Sequence, residues 1–252
     1  MKSPGASLRE WPYPRFIAHR GAGRLTPENT IAALRTGWQH GYRMFEFDTR
    51  LTADGKVVLL HDETLERTTD GVGPLATRSW DEVSRLDAGY WHSASMAGER
   101  VPDLDQAADW LLGCGGLANI EIKPCRGREI EAGVAVALAA TRCWAGVEPP
   151  PLLSSFSVET LAAARQTAPD LPRGLLFGRP PADCVAQAVA LDCVALHVDW
   201  RFADAALLRA AHAAGLRLLC YTVNDPAEAM RLREIGLDGL ITDSVDRIAA
   251  LD

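Results

Sequence analysis

The sequence predicts a TIM (β/α)₈ barrel, on three observations. Short apolar runs alternate with amphipathic segments along the whole chain, which implies parallel strands covered by helices. Eight strand-then-helix units can be counted. The length of 252 residues matches the about 250 residues that such a barrel takes and favours it over an open doubly wound sheet. Residues 1–252 are read as one barrel domain.

Phe16–Ala18 reads as the first strand. A helix near Glu28–His40 follows, with Thr26 as its N-cap and Pro27 as its first residue. Arg43–Leu51 is the second strand, continued or paired by Lys56–Leu60. The segment 62–103, rich in Thr, Gly, Ser and Asp, interrupts the rhythm before the next helix. It reads as a small insertion on a strand-to-helix loop, at the barrel face where chemistry collects. Leu117–Ile122 and an Ala-rich helix over Gly127–Cys143 make the third unit. Pro151–Ser154 with Val158–Thr167, Gly174–Phe177 with Ala182–Ala190, and Cys193–His197 with Ala203–Ala214 repeat it. Leu216–Tyr221 with Pro226–Ile235, then Gly239–Ile241 with a helix over Val245–Leu251, close the series.

Composition narrows the function classes. Hydrophobic residues make up 48% and charged residues 23%, an ordinary globular mix. A net charge of −7 argues against nucleic acid, which needs a basic face to neutralise phosphates. Small phosphate esters are not excluded, because net charge says nothing about a local cation. The six cysteines include no C-x-x-C pair, so buried thiols in a reducing compartment are expected. The N-terminus carries no apolar run of signal-peptide length, and no stretch reaches the about 18 apolar residues of a membrane span. A cytoplasmic protein with no membrane span is the expectation. Tryptophans such as Trp80 and Trp91 serve either a pocket or a subunit contact, so a homo-oligomer is compatible with the sequence.

Four strand segments carry the chemistry. In Met44-Phe45-Glu46-Phe47-Asp48, alternate side chains share a face, so Glu46 and Asp48 project together and Phe45 and Phe47 project oppositely. Two carboxylates aimed into a barrel repel each other unless a cation compensates, and hard oxygen ligands suit Mg²⁺, Ca²⁺ or Mn²⁺. In Asn119-Ile120-Glu121-Ile122-Lys123, Glu121 can add a third carboxylate and Lys123 a fixed charge for a phosphate oxygen. An internal Glu–Lys ion pair is the alternative. At the first strand's end, Ala18-His19-Arg20-Gly21 supplies a proton-shuttling imidazole, a guanidinium for phosphate, and a glycine for close backbone approach. Leu59-Leu60-His61-Asp62 ends the next extended run with a second histidine. Two histidines beside a carboxylate cluster provide a general acid and a general base. Glu28 and Asn29, at the first helix's start, are candidates for supporting contacts to the site. His197, near a strand end, is a candidate pocket residue, and His40 and His212 are read as surface groups.

These segments, together with Pro27-Glu28-Asn29-Thr30, Leu51-Thr52-Ala53-Asp54-Gly55, Tyr221-Thr222-Val223-Asn224-Asp225 and Asp238-Gly239-Leu240-Ile241-Thr242-Asp243, resemble the glycerophosphodiester phosphodiesterase family, in its short cytoplasmic bacterial form. The resemblance spans roughly the whole chain. It implies a TIM barrel with an insertion after strand two and a divalent cation, Mg²⁺ or Ca²⁺, held by Glu46, Asp48 and Glu121. It implies His19 and His61 as the acid–base pair, with Arg20 and Lys123 on the phosphate. Where the family often has Trp, this chain has Tyr221, which retains a flat aromatic wall for the alcohol and adds a hydroxyl. The expected reaction is hydrolysis of a glycerophosphodiester to glycerol 3-phosphate and an alcohol such as choline or ethanolamine. His19 is assigned as acid and His61 as base. The nucleophile is either water or the neighbouring glycerol hydroxyl, the second giving a cyclic phosphate. A lysophospholipase-D-like cyclising enzyme on the same barrel and a non-catalytic phosphodiester-binding protein are the competing readings.

Overall fold

The structure is a computed structural model that describes residues 11–249. Its strands are β1 (Phe16–His19), β2 (Met44–Leu51), β3 (Val57–Leu59), β4 (Leu117–Ile122), β5 (Leu152–Ser155), β6 (Arg173–Phe177), β7 (Ala195–Asp199), β8 (Arg217–Tyr221) and β9 (Gly239–Thr242). Its helices are α1 (Ile31–Gln39), α2 (Trp80–Val83), α3 (Leu104–Cys114), α4 (Glu129–Cys143), α5 (Val158–Thr167), α6 (Cys184–Ala190), α7 (Ala205–Ala213) and α8 (Pro226–Glu234). All strands but β3 run parallel around a closed barrel, β1 pairing with both β9 and β2. β3 is the antiparallel arm of a hairpin with β2, lying outside the barrel circuit. Among the described residues no helix is long and apolar enough to cross a membrane.

Period-two alternation sorts each strand into an outer and an inner face. Outward, Phe45, Phe47, Ile120, Leu153, Leu175, Leu196, Leu218 and Leu240 meet the apolar faces of the helices in one large core. Inward, Ile17, Met44, Leu152, Ala195, Leu219 and Ile241 close the bottom of the barrel with Tyr13. The next inward position along each of these strands, two residues toward the C-terminal end, is His19, Glu46, Ser154, His197, Tyr221 and Asp243. An apolar plug thus underlies a polar layer, and the switch occurs within one pleat of each of these six strands.

Residues 60–103 carry α2, two short 3₁₀ turns and a satellite core of Val58, Leu60, Leu65, Leu75, Val83, Ala88 and Val101. Trp80, read above as an exposed pocket or contact residue, packs against this core, whereas Trp91 is exposed. Two helix assignments are corrected. The N-cap of α1 is Thr30, whose hydroxyl accepts from Ala33 N, and not Thr26. Asn29 stands at φ 59°, a left-handed conformation that no helix continues through, so the helix starts only after it. Residues 245–249 form a turn and not the start of a helix; the rest of that predicted helix, to Leu251, lies outside the described residues.

Phe47 is fully buried between barrel and helices. Phe47→Ala is expected to lower the unfolding free energy by about 3–5 kcal/mol, read from the midpoint of a urea titration. A loss under about 1 kcal/mol would contradict this packing.

Candidate active site

The three predicted carboxylates meet at the C-terminal mouth of the barrel. Glu46 and Asp48 on β2 and Glu121 on β4 offer ligand atoms that all lie within 4.8 Å of one another. Register explains the meeting: Asp48 is the Cα partner of Glu121, and Glu46 sits one inward position below. Glu46 is 2% and Asp48 1% exposed. Three acids this close in so little water repel strongly. Burial, with Asp48 beside it, pushes Glu46 up to about 8. Glu121 is likewise raised by burial and by Asp48, with Lys123 offsetting part of the effect. Burial opposes ionisation of Asp48 too, but Arg20 and Lys123 outweigh it and hold its carboxyl below the usual range.

Both predicted cations flank this cluster. Arg20 Nε is 3.2 Å from Asp48 Oδ2, and Arg20 N donates to Glu46 Oε2 at 3.2 Å. Lys123 Nζ is 2.8 Å from Glu121 and 3.6 Å from Asp48, with the Phe156 ring 5.6 Å away. Glu28 and Asn29 make the supporting contacts expected of that segment. Glu28 accepts from Arg20 Nη1 at 2.7 Å. Asn29 Nδ2 donates to Asp48 Oδ2 at 2.9 Å, and Asn29 Oδ1 accepts from Asp48 N. Arg20, at φ 51°, shares the left-handed region with Asn29. Such strain persists where surrounding contacts overdetermine it, and here the two backbones are joined by Asn29 N donating to Arg20 O. Gly21, at φ 96°, packs so close to α1 that an added Cβ would lie 2.7–2.8 Å from Ala33 and Leu34 atoms.

The residues present suit a divalent cation. The carboxylates are hard oxygen donors. Glu46 Oε1 is buried with no hydrogen-bond partner, and the raised Glu46 and Glu121 mark a shortage of positive charge that Arg20 and Lys123 leave in place.

Each predicted histidine is gripped from behind by a carboxylate, a feature missed in the sequence. His19 Nδ1 is 2.5 Å from Asp243 Oδ1, just past β9, and Asp243 is itself held by Asn224 Nδ2 at 2.8 Å. His61 Nδ1 is 2.6 Å from Asp62 Oδ1, and the His61 carbonyl accepts from Arg50 Nε at 2.7 Å. With Nδ1 engaged, Nε2 of each ring is the group left for chemistry; that of His19 lies 3.7 Å from Glu46. The two titrate in opposite directions. Burial lowers His19, but the Asp243 hydrogen bond and the Glu46 charge outweigh it, and its pKa is raised. Burial lowers His61, Arg20 and Lys123 add to the depression, and Asp48 and Asp62 offset only part of it.

Tyr221 ends β8 with its ring edge-on to Phe156, 5.8 Å between centroids. Its buried hydroxyl has no hydrogen-bond partner, and burial raises its pKa. His197 differs from expectation. It lies in the interior polar layer, fully buried and pushed down to about 3 by burial, with Nε2 2.5 Å from where a Gly174 Cβ would stand. It lines no open pocket. His212, read as a surface group, pairs with Asp238 at 2.7 Å. The asparagine and aspartates of 224, 243 and 62 all lie in segments noted above, but no local spacing links Asp243 to His19.

Comparisons with known proteins bear on the family and the fold. The model of the glycerophosphoryl diester phosphodiesterase family matches residues 19–247. A glycerophosphodiester phosphodiesterase of Caldanaerobacter subterraneus is 32% identical over 93% of this chain and 96% of its own. One from Bacillus subtilis is 30% identical over 91% of this chain and 83% of its own. Among solved structures, an Oleispira antarctica phosphodiesterase in complex with the product sn-glycerol-3-phosphate superposes with a TM-score of 0.89, at 35% identity over 94% of this chain and 95% of that one. With residues 19–247 matched and every strand end that builds the mouth inside that span, the chain belongs to the glycerophosphoryl diester phosphodiesterase family.

Proposed function

We propose that this protein hydrolyses glycerophosphodiesters to glycerol 3-phosphate and an alcohol, with Mg²⁺ or Ca²⁺ held by Glu46, Asp48 and Glu121. The observation that carries the reading is a pair of histidines, each held at Nδ1 by a carboxylate, beside one buried carboxylate cluster. When bound, the cation supplies charge for a non-bridging phosphate oxygen and orients the ester. Arg20 and Lys123, both kept charged by the surrounding carboxylates, bind the phosphate. His61, whose lowered pKa favours the neutral imidazole, takes the proton from the attacking group. That group is either water or the neighbouring glycerol hydroxyl, the cyclic phosphate formed by the second then being opened by water to glycerol 3-phosphate. His19, whose raised pKa keeps it protonated, gives its proton to the departing alcohol oxygen. Tyr221 and Phe156 form an aromatic wall beside Lys123, suited to the alcohol portion.

The defining experiment is turnover of glycerophosphocholine with and without EDTA, then with Mg²⁺ or Ca²⁺ restored. Glycerol 3-phosphate is expected only with metal. His19→Ala and His61→Ala are each expected to lower kcat by about 10²–10⁴-fold; a loss of only a few-fold at either would remove that residue from the acid–base pair. Lysophosphatidylcholine as an alternative substrate separates this reading from a lysophospholipase-D-like activity.

The pH profile of kcat/KM follows from the two shifts. The base His61 must be unprotonated, and its pKa is lowered. Activity therefore falls on acidification only below the usual imidazole value of about 6.5. The acid His19 must be protonated, and its pKa is raised. Activity therefore falls on alkalinisation only above about 6.5. A bell is expected with its acidic limb below and its alkaline limb above about 6.5; an acidic limb centred above that value, or an alkaline limb centred below it, would contradict the assignment.

Stability of the metal-free protein has its own pH dependence. The folded state retains a proton on Glu46 up to about 8, whereas the unfolded chain releases it near 4.3. The folded state binds more protons in that window, so stability declines as pH rises through it. Thermal melting is expected to show this decline without metal, its reversal by millimolar Mg²⁺ or Ca²⁺, and a weaker response of both in Glu46→Gln.

A further inference from the structure

The segment between β3 and α3 contributes one charged side chain to the mouth that the chemistry above does not use. Arg67 stands on a short turn pinned at both ends. Leu65 is buried in the satellite core, and Thr68 and Thr69, three and four residues further on, are buried too. Thr69 donates through both N and Oγ1 to the Leu65 carbonyl, at 3.0 and 2.6 Å. Gly71 N then donates to Thr69 Oγ1 at 3.0 Å. Between these anchors the Arg67 side chain leaves the turn and reaches over the site.

Its guanidinium forks between two carboxylates. Nη1 and Nη2 donate to the two oxygens of Glu28 at 2.8 and 2.7 Å. Nε and Nη2 donate to the two oxygens of Asp62, the latter at 3.1 Å. Neither carboxylate is an idle surface group. Asp62 holds His61 Nδ1 at 2.6 Å, and Glu28 holds Arg20 Nη1 at 2.7 Å. His61 follows β3 and Arg20 follows β1, so the two come from separate elements. They are tied into one chain, His61–Asp62–Arg67–Glu28–Arg20, and Arg20 continues it to Asp48.

We propose that Arg67 is a positioning residue, the one through which the segment 62–103 serves the reaction: its fork fixes the base His61 at a set distance from the phosphate-binding Arg20. The inference rests on the function proposed above. A planar guanidinium engages both oxygens of both carboxylates at once, because its five donors diverge in a rigid plane, whereas a lysine ammonium, as at Lys56 between Asp103 and Asp105, offers each carboxylate one point contact. Without it, Glu28 would keep only Arg20 and Asp62 only His61 as a partner, and nothing would tie the two pairs to each other or fix the carboxylates' orientation. A displacement of about 1 Å in such a pair is enough to cost on the order of 10²-fold in rate.

The test compares Arg67→Ala and Arg67→Lys with the parent at saturating divalent metal, after matching their thermal melts. A fall in kcat/KM of roughly 10–100-fold, mostly in kcat, is expected for both. Low-millimolar guanidinium is expected to restore much of the loss in Arg67→Ala and none in His61→Ala, a rescue that a general packing defect would not show. In an Asp62→Asn background, Arg67→Ala is expected to cost far less than in the parent, because the two act through the same imidazole. Turnover of Arg67→Ala within a few-fold of the parent, or losses that simply multiply, would overturn the proposal. A second measurement needs no substrate: the downfield Nδ1–H proton resonance of His61, identified by its disappearance in His61→Ala, is expected to weaken or vanish in Arg67→Ala. If the parent turns over no glycerophosphodiester yet the resonance is lost, the function reading fails while the bridge stands. If the resonance is unchanged, the bridge itself fails.

Discussion

Three carboxylates confined within 4.8 Å at the mouth of a barrel are the constraint around which the rest of this molecule is arranged. Like charges that close, almost out of water, cannot all ionise without nearby positive charge. Arg20 and Lys123 provide some of it and stabilise Asp48 in its charged form. Glu46 remains raised to about 8, so the site is left electrostatically incomplete, in the sense that favours a divalent cation. The barrel makes this tolerable by layering. Directly below the acids lies the plug of Ile17, Met44, Leu152, Ala195, Leu219 and Ile241, and behind β2 the rings of Phe45 and Phe47 pack against the helices. Apolar burial on both sides holds β2 in a register that its own inward side chains disfavour.

The two histidines show how one cluster can set two groups apart. Both are partly desolvated, which lowers both. The difference comes from what stands beside them. At His19 the Asp243 hydrogen bond and the Glu46 charge outweigh burial and raise it, while at His61 burial, helped by Arg20 and Lys123, outweighs Asp48 and Asp62 and lowers it. Pairs of titratable groups whose surroundings push them apart are a mark of acid–base assignments. The same carboxylates that hold the rings also select the reactive nitrogen, since Nδ1 of each is engaged.

The segment after β3 has a physical place in this arrangement. It carries its own small apolar core, so it is a rigid attachment and not a slack loop. Hydrogen bonds join it to β2, through Leu60 N to the Asp48 carbonyl and Arg50 Nε to the His61 carbonyl, and to the stretch after β1, through Arg67 to Glu28 and His92 Nε2, 3.1 Å from the Arg24 carbonyl. The last two join it to the loop that follows β1 and begins at Arg20, next to His19. Half of the mouth is thereby built as one connected unit from β1, β2 and this segment.

Much of this was legible in the chain. Strand–helix alternation and length were enough for the barrel, because burying one face of each strand and one stripe of each helix leaves a local periodic trace. The pairing of Glu46 with Asp48, opposite Phe45 and Phe47, follows from strand geometry alone, and the motif segments placed His19, His61 and Lys123 at strand ends. Local signals failed where tertiary contacts competed. Thr26-Pro27 has the form of a helix start, yet Asn29 adopts a left-handed conformation to clamp Asp48, and the helix waits for Thr30. His197, near a strand end, turns into the closed interior over Gly174. The grip of Asp243 on His19 joins residues 224 positions apart, and the Arg67–Glu28 fork joins residues 39 apart. Side-chain type and periodicity are properties of a few neighbouring residues, so the sequence by itself determined the barrel, the carboxylate face and the chemical inventory. Which carboxylate holds which histidine, and in which direction each titrates, depends on distances and burial that exist only once β1 and β9 close the ring, and those the tertiary structure decided.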